Sequence, residues 1–217
     1  NIAFGYRAGR DVTSGSNNFF GLYAAGKQNT TGGNNIFIGC KAASASVVTG
    51  SRNVVLGSLA GEDITSGTDN VFLGTYAGRN NTIATDNIAI GCAALCSSGA
   101  LTGVNNIALG RQAGYNMQSG NHNIFMGCHA GENVTFGTYN VIIGNGIDAP
   151  AANTDKYFAI GCGSSRWIQG DSSFNVCLAG STIKAIASGG VFCATSFVGS
   201  GANLTGIDAG FTPDSQE

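Results

Sequence analysis

Along the chain, apolar triplets alternate with polar, glycine-rich stretches at a nearly constant interval. Each triplet follows an asparagine and is closed by a glycine, as in "NIAIG" (87–91) and "NIALG" (106–110). Aligned on the asparagine, copies begin at Asn1, Asn17, Asn35, Asn53, Asn70, Asn87, Asn106, Asn123 and Asn140, and Tyr157 and Asn175 continue the series at intervals of 16 to 19 residues. Four positions on stands a glycine: Gly5, Gly21, Gly39, Gly57, Gly74, Gly91, Gly110, Gly127, Gly144 and Gly161. An Ala-Gly pair follows in most copies (Ala8-Gly9, Ala25-Gly26, Ala60-Gly61, Ala77-Gly78, Ala113-Gly114, Ala130-Gly131), then a turn such as "VTSG" (12–15).

Two short extended pieces and two glycine corners per unit predict one coil of a β-solenoid. A helical solenoid needs two helices per unit, about 33 residues, and no helix-period stripe is present. The expected fold class is all-β: a parallel β-helix or β-roll of ten to eleven coils over residues 1–180, each coil about 4.8 Å above the last. Glycines suit corners that need positive φ. The recurring asparagines Asn35, Asn53, Asn70, Asn87, Asn106, Asn123 and Asn140 are expected to stack as a ladder of amides up the rod. A catalytic asparagine would be singular, so their recurrence reads as structure.

Side chains alternate faces along a strand. The first and third apolar positions (Ile36 and Ile38, Val71 and Leu73) are expected to fill the coil. The middle position then points outward, and nowhere in the series is it polar: Phe19, Phe37, Val55, Phe72, Phe125 and Ile142 are its largest members. A continuous apolar stripe of this kind usually marks an interface. These six residues are therefore the expected contact of a parallel homotrimer. The alternative is a single chain that covers both faces of its own strands.

The pentapeptide repeat resembles the N-x-x-[IVL]-G repeats in the heads of trimeric autotransporter adhesins. That resemblance implies a left-handed parallel β-roll with three chains side by side. A second stretch, "VFCATSFVGSGANLTGI" (191–207), is similar to a segment common in phage tail-fibre proteins, especially of marine cyanophages. It implies a trimeric tail fibre, located in the virion and assembled in the host cytoplasm. The implied partners are other tail proteins and a host cell-surface receptor, a glycan or an outer-membrane component. Residues 181–217 read as a connector or trimer-closing segment with a polar tail.

Composition narrows the classes. Of 217 residues, 35 are glycine and only 10% are charged, and the net charge is −2, which leaves no basic footprint for nucleic acid. No run of the sequence is long and apolar enough to insert in a membrane. The seven cysteines lack C-x-x-C spacing and read as small buried thiols from a reducing compartment. His122 and His129, seven apart, lack metal-site spacing, and no cofactor is expected. Trp167 beside Arg166 is a candidate glycan platform, and Glu62 and Arg79 occupy equivalent places in adjacent coils. Acidic residues are too sparse for a paired-carboxylate glycosidase, so no enzyme activity is expected. The receptor-binding residues are unknown. Other readings are a bacterial surface adhesin head, a glycan-cleaving tailspike and an ice-binding solenoid. The threonines Thr13, Thr30, Thr49, Thr65 and Thr135 drift in phase, against the flat array ice binding would need.

Overall fold

A computed structural model describes residues 1–173 and, beyond them, the backbone of 176–178. Residues 181–217, with the segment 191–207, lie outside the described residues. Within them the chain is all-β, a solenoid of about 9 turns with ~17-residue coils. Each turn contributes one short strand: β1 (Ile2–Phe4), β2 (Phe19–Gly21), β3 (Ile36–Ile38), β4 (Val54–Leu56), β5 (Val71–Leu73), β6 (Ile88–Ile90), β7 (Ile107–Leu109), β8 (Ile124–Met126), β9 (Val141–Asn145) and β10 (Phe158–Cys162). These ten pair in chain order, all parallel. Two antiparallel strands, β11 (Ser165–Gly170) and β12 (Val176–Leu178), end the sheet.

Strand register corrects the alignment near the start. Ile2 pairs with Phe19 and Ala3 with Phe20, so the second rung begins at Asn18, not Asn17. Gly21 then takes an outer strand position, and Leu22 occupies the corner with φ 77. Phe20 is the buried middle residue of that rung, and Phe19 lies on the outside.

The facing of the triplets is the reverse of the expectation. Phe37, Val55, Phe72, Phe125 and Ile142 are 0% exposed within the single chain, whereas Ile36, Ile90 and Met126 keep 40%, 39% and 38% of their surface. The middle residues are the core, and the first and third point outward. The physical reason is parity. The asparagine that opens each rung is itself buried, and period-two alternation places the residue two positions on beside it.

Inside the coil, large and small residues interlock. A Cβ built on Gly78 (φ +61) would sit 2.5 Å from the Phe72 ring, so the ring uses the space that the glycine leaves. Where adjacent rungs offer only Ala89 and Ala108, the glycine slot holds Leu95, fully buried. Volume is thus conserved between neighbouring coils, as close packing requires. At the other corner, Gly74 (φ +134) stacks so closely on the next coil that a Cβ would lie 2.6 Å from the Gly91 carbonyl oxygen.

The asparagines are buried and joined in series. The Asn53 backbone N–H donates to Asn35 Oδ1 at 2.9 Å, Asn70 to Asn53 at 3.0 Å, Asn87 to Asn70 at 3.0 Å and Asn106 to Asn87 at 2.9 Å. Asn123 and Asn140 continue it. Each Nδ2 also donates to a carbonyl near the end of its own coil, as Asn87 does to Gly103 at 2.9 Å. One side chain therefore closes its coil and carries the next.

Candidate assembly face

Because the buried asparagine fixes parity, the outer side of the parallel sheet carries two columns running the length of the rod. The first holds Ile2, Phe19, Ile36, Val54, Val71, Ile88, Ile107, Ile124, Val141 and Phe158. The second holds Phe4, Gly21, Ile38, Leu56, Leu73, Ile90, Leu109, Met126, Ile143 and Ile160. No polar side chain interrupts either. With strands about 4.8 Å apart and about three residues wide, this face measures about 45 Å by 10 Å. That is about 450 Å², comparable with the largest apolar patch, roughly 300–600 Å², on an ordinary soluble monomer.

The leading flank is formed by residues that precede each buried asparagine. These adopt the left-handed conformation, with φ between 54 and 60 where a non-glycine needs local support: Asn17, Asn34, Arg52, Asp69, Asp86, Asn105, His122, Tyr139 and, before Tyr157, Lys156. Arg52 grips Asp69 with both Nε (2.6 Å) and Nη2 (2.7 Å), and this pairing holds the Asp69 carboxyl below its ordinary range. His122 stacks on Tyr139, ring centroids 4.9 Å apart and planes 4° from parallel.

The trailing flank follows the corner glycine. Tyr6, Tyr23, Cys40, Ser58, Thr75, Cys92, Arg111, Cys128 and Cys162 fall in one column. Cys40, Cys92 and Cys162 are exposed and Cys128 half-buried, so these thiols are not the core residues expected; only Cys96 is buried among the described cysteines. Burial pushes the Cys96 thiol up. His129 belongs to this flank, its Nδ1 2.7 Å from Glu132 Oε2. The two histidines thus lie on opposite sides of β8, and among the described residues no three metal-ligating side chains converge.

Other singled-out residues lie outside the two apolar columns. Arg79 Nε is 3.1 Å from Glu62 Oε2, the pairing up the rod that the spacing suggested, at an angle short of a hydrogen bond. Trp167 is 61% exposed, while Arg166 turns away to donate to the Asp148 carbonyl at 3.1 Å, so the two do not form a joint platform. Two shallow concavities mark the last coils, one of about 310 Å³ that includes Asp155, Tyr157 and Gln169, and one of about 400 Å³ that includes Tyr139, Lys156 and Phe158.

Threonines form a column that the spacing concealed. Thr13, Thr30, Thr49, Thr65, Thr82, Thr102 and Thr135 follow the inward residues Val12, Asn29, Val48, Ile64, Asn81, Leu101 and Val134, with Gln118 after Met117 in the one intervening coil, and insertions in two coils hide the shared phase. Their hydroxyls serve the rod: Thr13 donates to the Thr30 carbonyl at 3.1 Å and Thr65 to the Thr82 carbonyl at 2.9 Å. Thr30 and Thr102 likewise reach a carbonyl of the next coil, whereas Thr135 bonds to Asn133 within its own.

Compared with protein families, curated proteins and solved structures, the chain finds no match in any of the three.

Proposed function

We propose that this chain is the shaft of a phage tail fibre, a structural protein whose rods pack side by side as a parallel homotrimer. The coil is left-handed, as in the adhesin heads that the repeat resembles, and the polar corners carry the host-adhesion surface. Its role is mechanical and adhesive rather than catalytic.

One observation supports this above the rest: the sheet presents water with an unbroken apolar face along the whole rod. At about 25 cal/mol per Å² of apolar surface, covering it favours association strongly. Together with its flanks, the face approaches the roughly 800 Å² per partner of a stable interface. The exposed thiols Cys40, Cys92 and Cys162 fit assembly in a reducing cytoplasm and weigh against a secreted bacterial adhesin head.

Light scattering tests the proposal: the mass in solution should be three times that of the 21.8 kDa chain. Val71→Lys with Ile107→Lys should give a monomer with an unchanged circular dichroism spectrum. A wild-type chain that stays monomeric at high concentration would sink the idea.

A further inference from the structure

Resting on the fibre proposed above, we infer that the apolar sheet face receives a second copy of this chain running in the same direction, and that the charge difference between its two flanks sets this polarity. The occupant follows from the charges beside the face. On the trailing flank, the two positions after each corner carry Arg7, Lys41 and Arg111 and no acidic residue. On the leading flank, the two positions before each buried asparagine, or before Tyr157 in the last parallel rung, carry Asp69, Asp86 and Asp155 with Arg52 and Lys156. Arg52 is already engaged by Asp69, so Asp86 is the acidic group left near the middle of the rod.

Geometry converts this difference into direction. When two such rods meet face to face and point the same way, the leading flank of one lies beside the trailing flank of the other. The same holds around a threefold axis. When they point opposite ways, each flank meets its own kind. Antiparallel packing in register instead brings Lys41 of one copy within one coil of Arg111 of the other, and the two positions after each corner supply no acid between them, which is unfavourable. Parallel packing in register sets Arg111 of one copy beside Asn105 of the next, with Asp86 one coil away, about 4.8 Å along the rod. An extended arginine spans that step. Arg111 and Asp86 are both exposed and neither forms an ion pair within four ångström among the described residues.

Charge exchange tests the pairing. Arg111→Glu and Asp86→Arg should each raise the dissociation constant of the assembly about tenfold, and the double variant should restore it. Direction is read separately, from spin labels on chains that keep only Cys40 or only Cys162, with the other cysteines changed to Ser. Parallel packing gives short label separations that are equal at the two sites. Long separations, or a double variant no better than the singles, overturn the inference while leaving the fibre intact. A wild-type rod that does not assemble overturns both.

Discussion

The Asn70 backbone N–H and its Nδ2 both point at a single acceptor, Asn53 Oδ1, each at 3.0 Å. The same Nδ2 also reaches the Ala84 carbonyl at 2.9 Å, and Asn70 Oδ1 accepts from the Asn87 N–H at 3.0 Å. Removing the side chain strands a buried carbonyl and a buried N–H at once. Each such group costs about 1–3 kcal/mol. Asn70→Ala should therefore lower stability by about 3 kcal/mol in a denaturant titration. Asn70→Asp should be no milder, because it cannot donate to Ala84. A loss under about 1 kcal/mol would show that the ladder is ornament.

Packing inside the coil makes a second test. Leu95 fills the slot that holds glycine where a phenylalanine ring is adjacent, and it does so where the neighbouring rungs supply Ala89 and Ala108. Leu95→Ala should cost about 2–5 kcal/mol by opening a cavity. Leu95→Gly combined with Ala89→Phe copies the arrangement of Gly78 with Phe72, and it should recover more than half of the loss suffered by Leu95→Gly alone. Additive losses in the double variant would refute volume exchange between these slots.

Much of the coil was legible because its causes are local. Glycine at a corner and asparagine at a fixed phase each act within one turn, so counting residues finds them. Facing is also written in the chain, in the buried asparagine rather than in the triplet. An asparagine assigned to a buried ladder already commits the residue two positions later to the interior, so Phe37 follows Asn35 inward. The doublet Asn17-Asn18 shifted one rung, although choosing Asn18 would have made the first two intervals equal. What single-residue spacing could not show was the threonine column. Extra residues before Val48 and Leu101 displace Thr49 and Thr102 in number but not in space, because the chain bulges at a corner and then rejoins the stack.

Asn81 presents the opposite case to Asn70. Its side chain is 0% exposed, and neither Oδ1 nor Nδ2 has a hydrogen-bond partner among the described residues. Its neighbours in the same core column are Ile64 and Leu101, both fully buried. An amide left unpaired in such surroundings costs about 1–3 kcal/mol. Asn81→Ile should accordingly stabilise the fold by about 1–3 kcal/mol and raise its melting temperature. Asn29, in the same column two coils earlier than Ile64, donates to Gly32 and accepts from Asn35, so Asn29→Ile should not stabilise. Equal gains at both positions would remove the unpaired amide as the cause.

Asp148 ties stability to pH. Burial raises its pKa above the ordinary carboxylate value, with Glu132 adding a like charge, while the N–H groups of Asn133 and Ala149 donate to the carboxylate and oppose part of the rise. An acid with a raised pKa in the folded state favours the fold while protonated, and that contribution disappears as pH climbs through the folded value. The wild-type chain thus carries a penalty at neutral pH that is absent below the usual carboxylate range, near about pH 4. Asp148→Asn keeps an acceptor for the two N–H donors and removes the charge. It should match the wild type in acid and exceed it at pH 7, measured as urea midpoints across that interval. An asparagine variant weaker than wild type at pH 7 would mean that the two backbone donors outweigh burial, and the sign of the pH dependence would reverse.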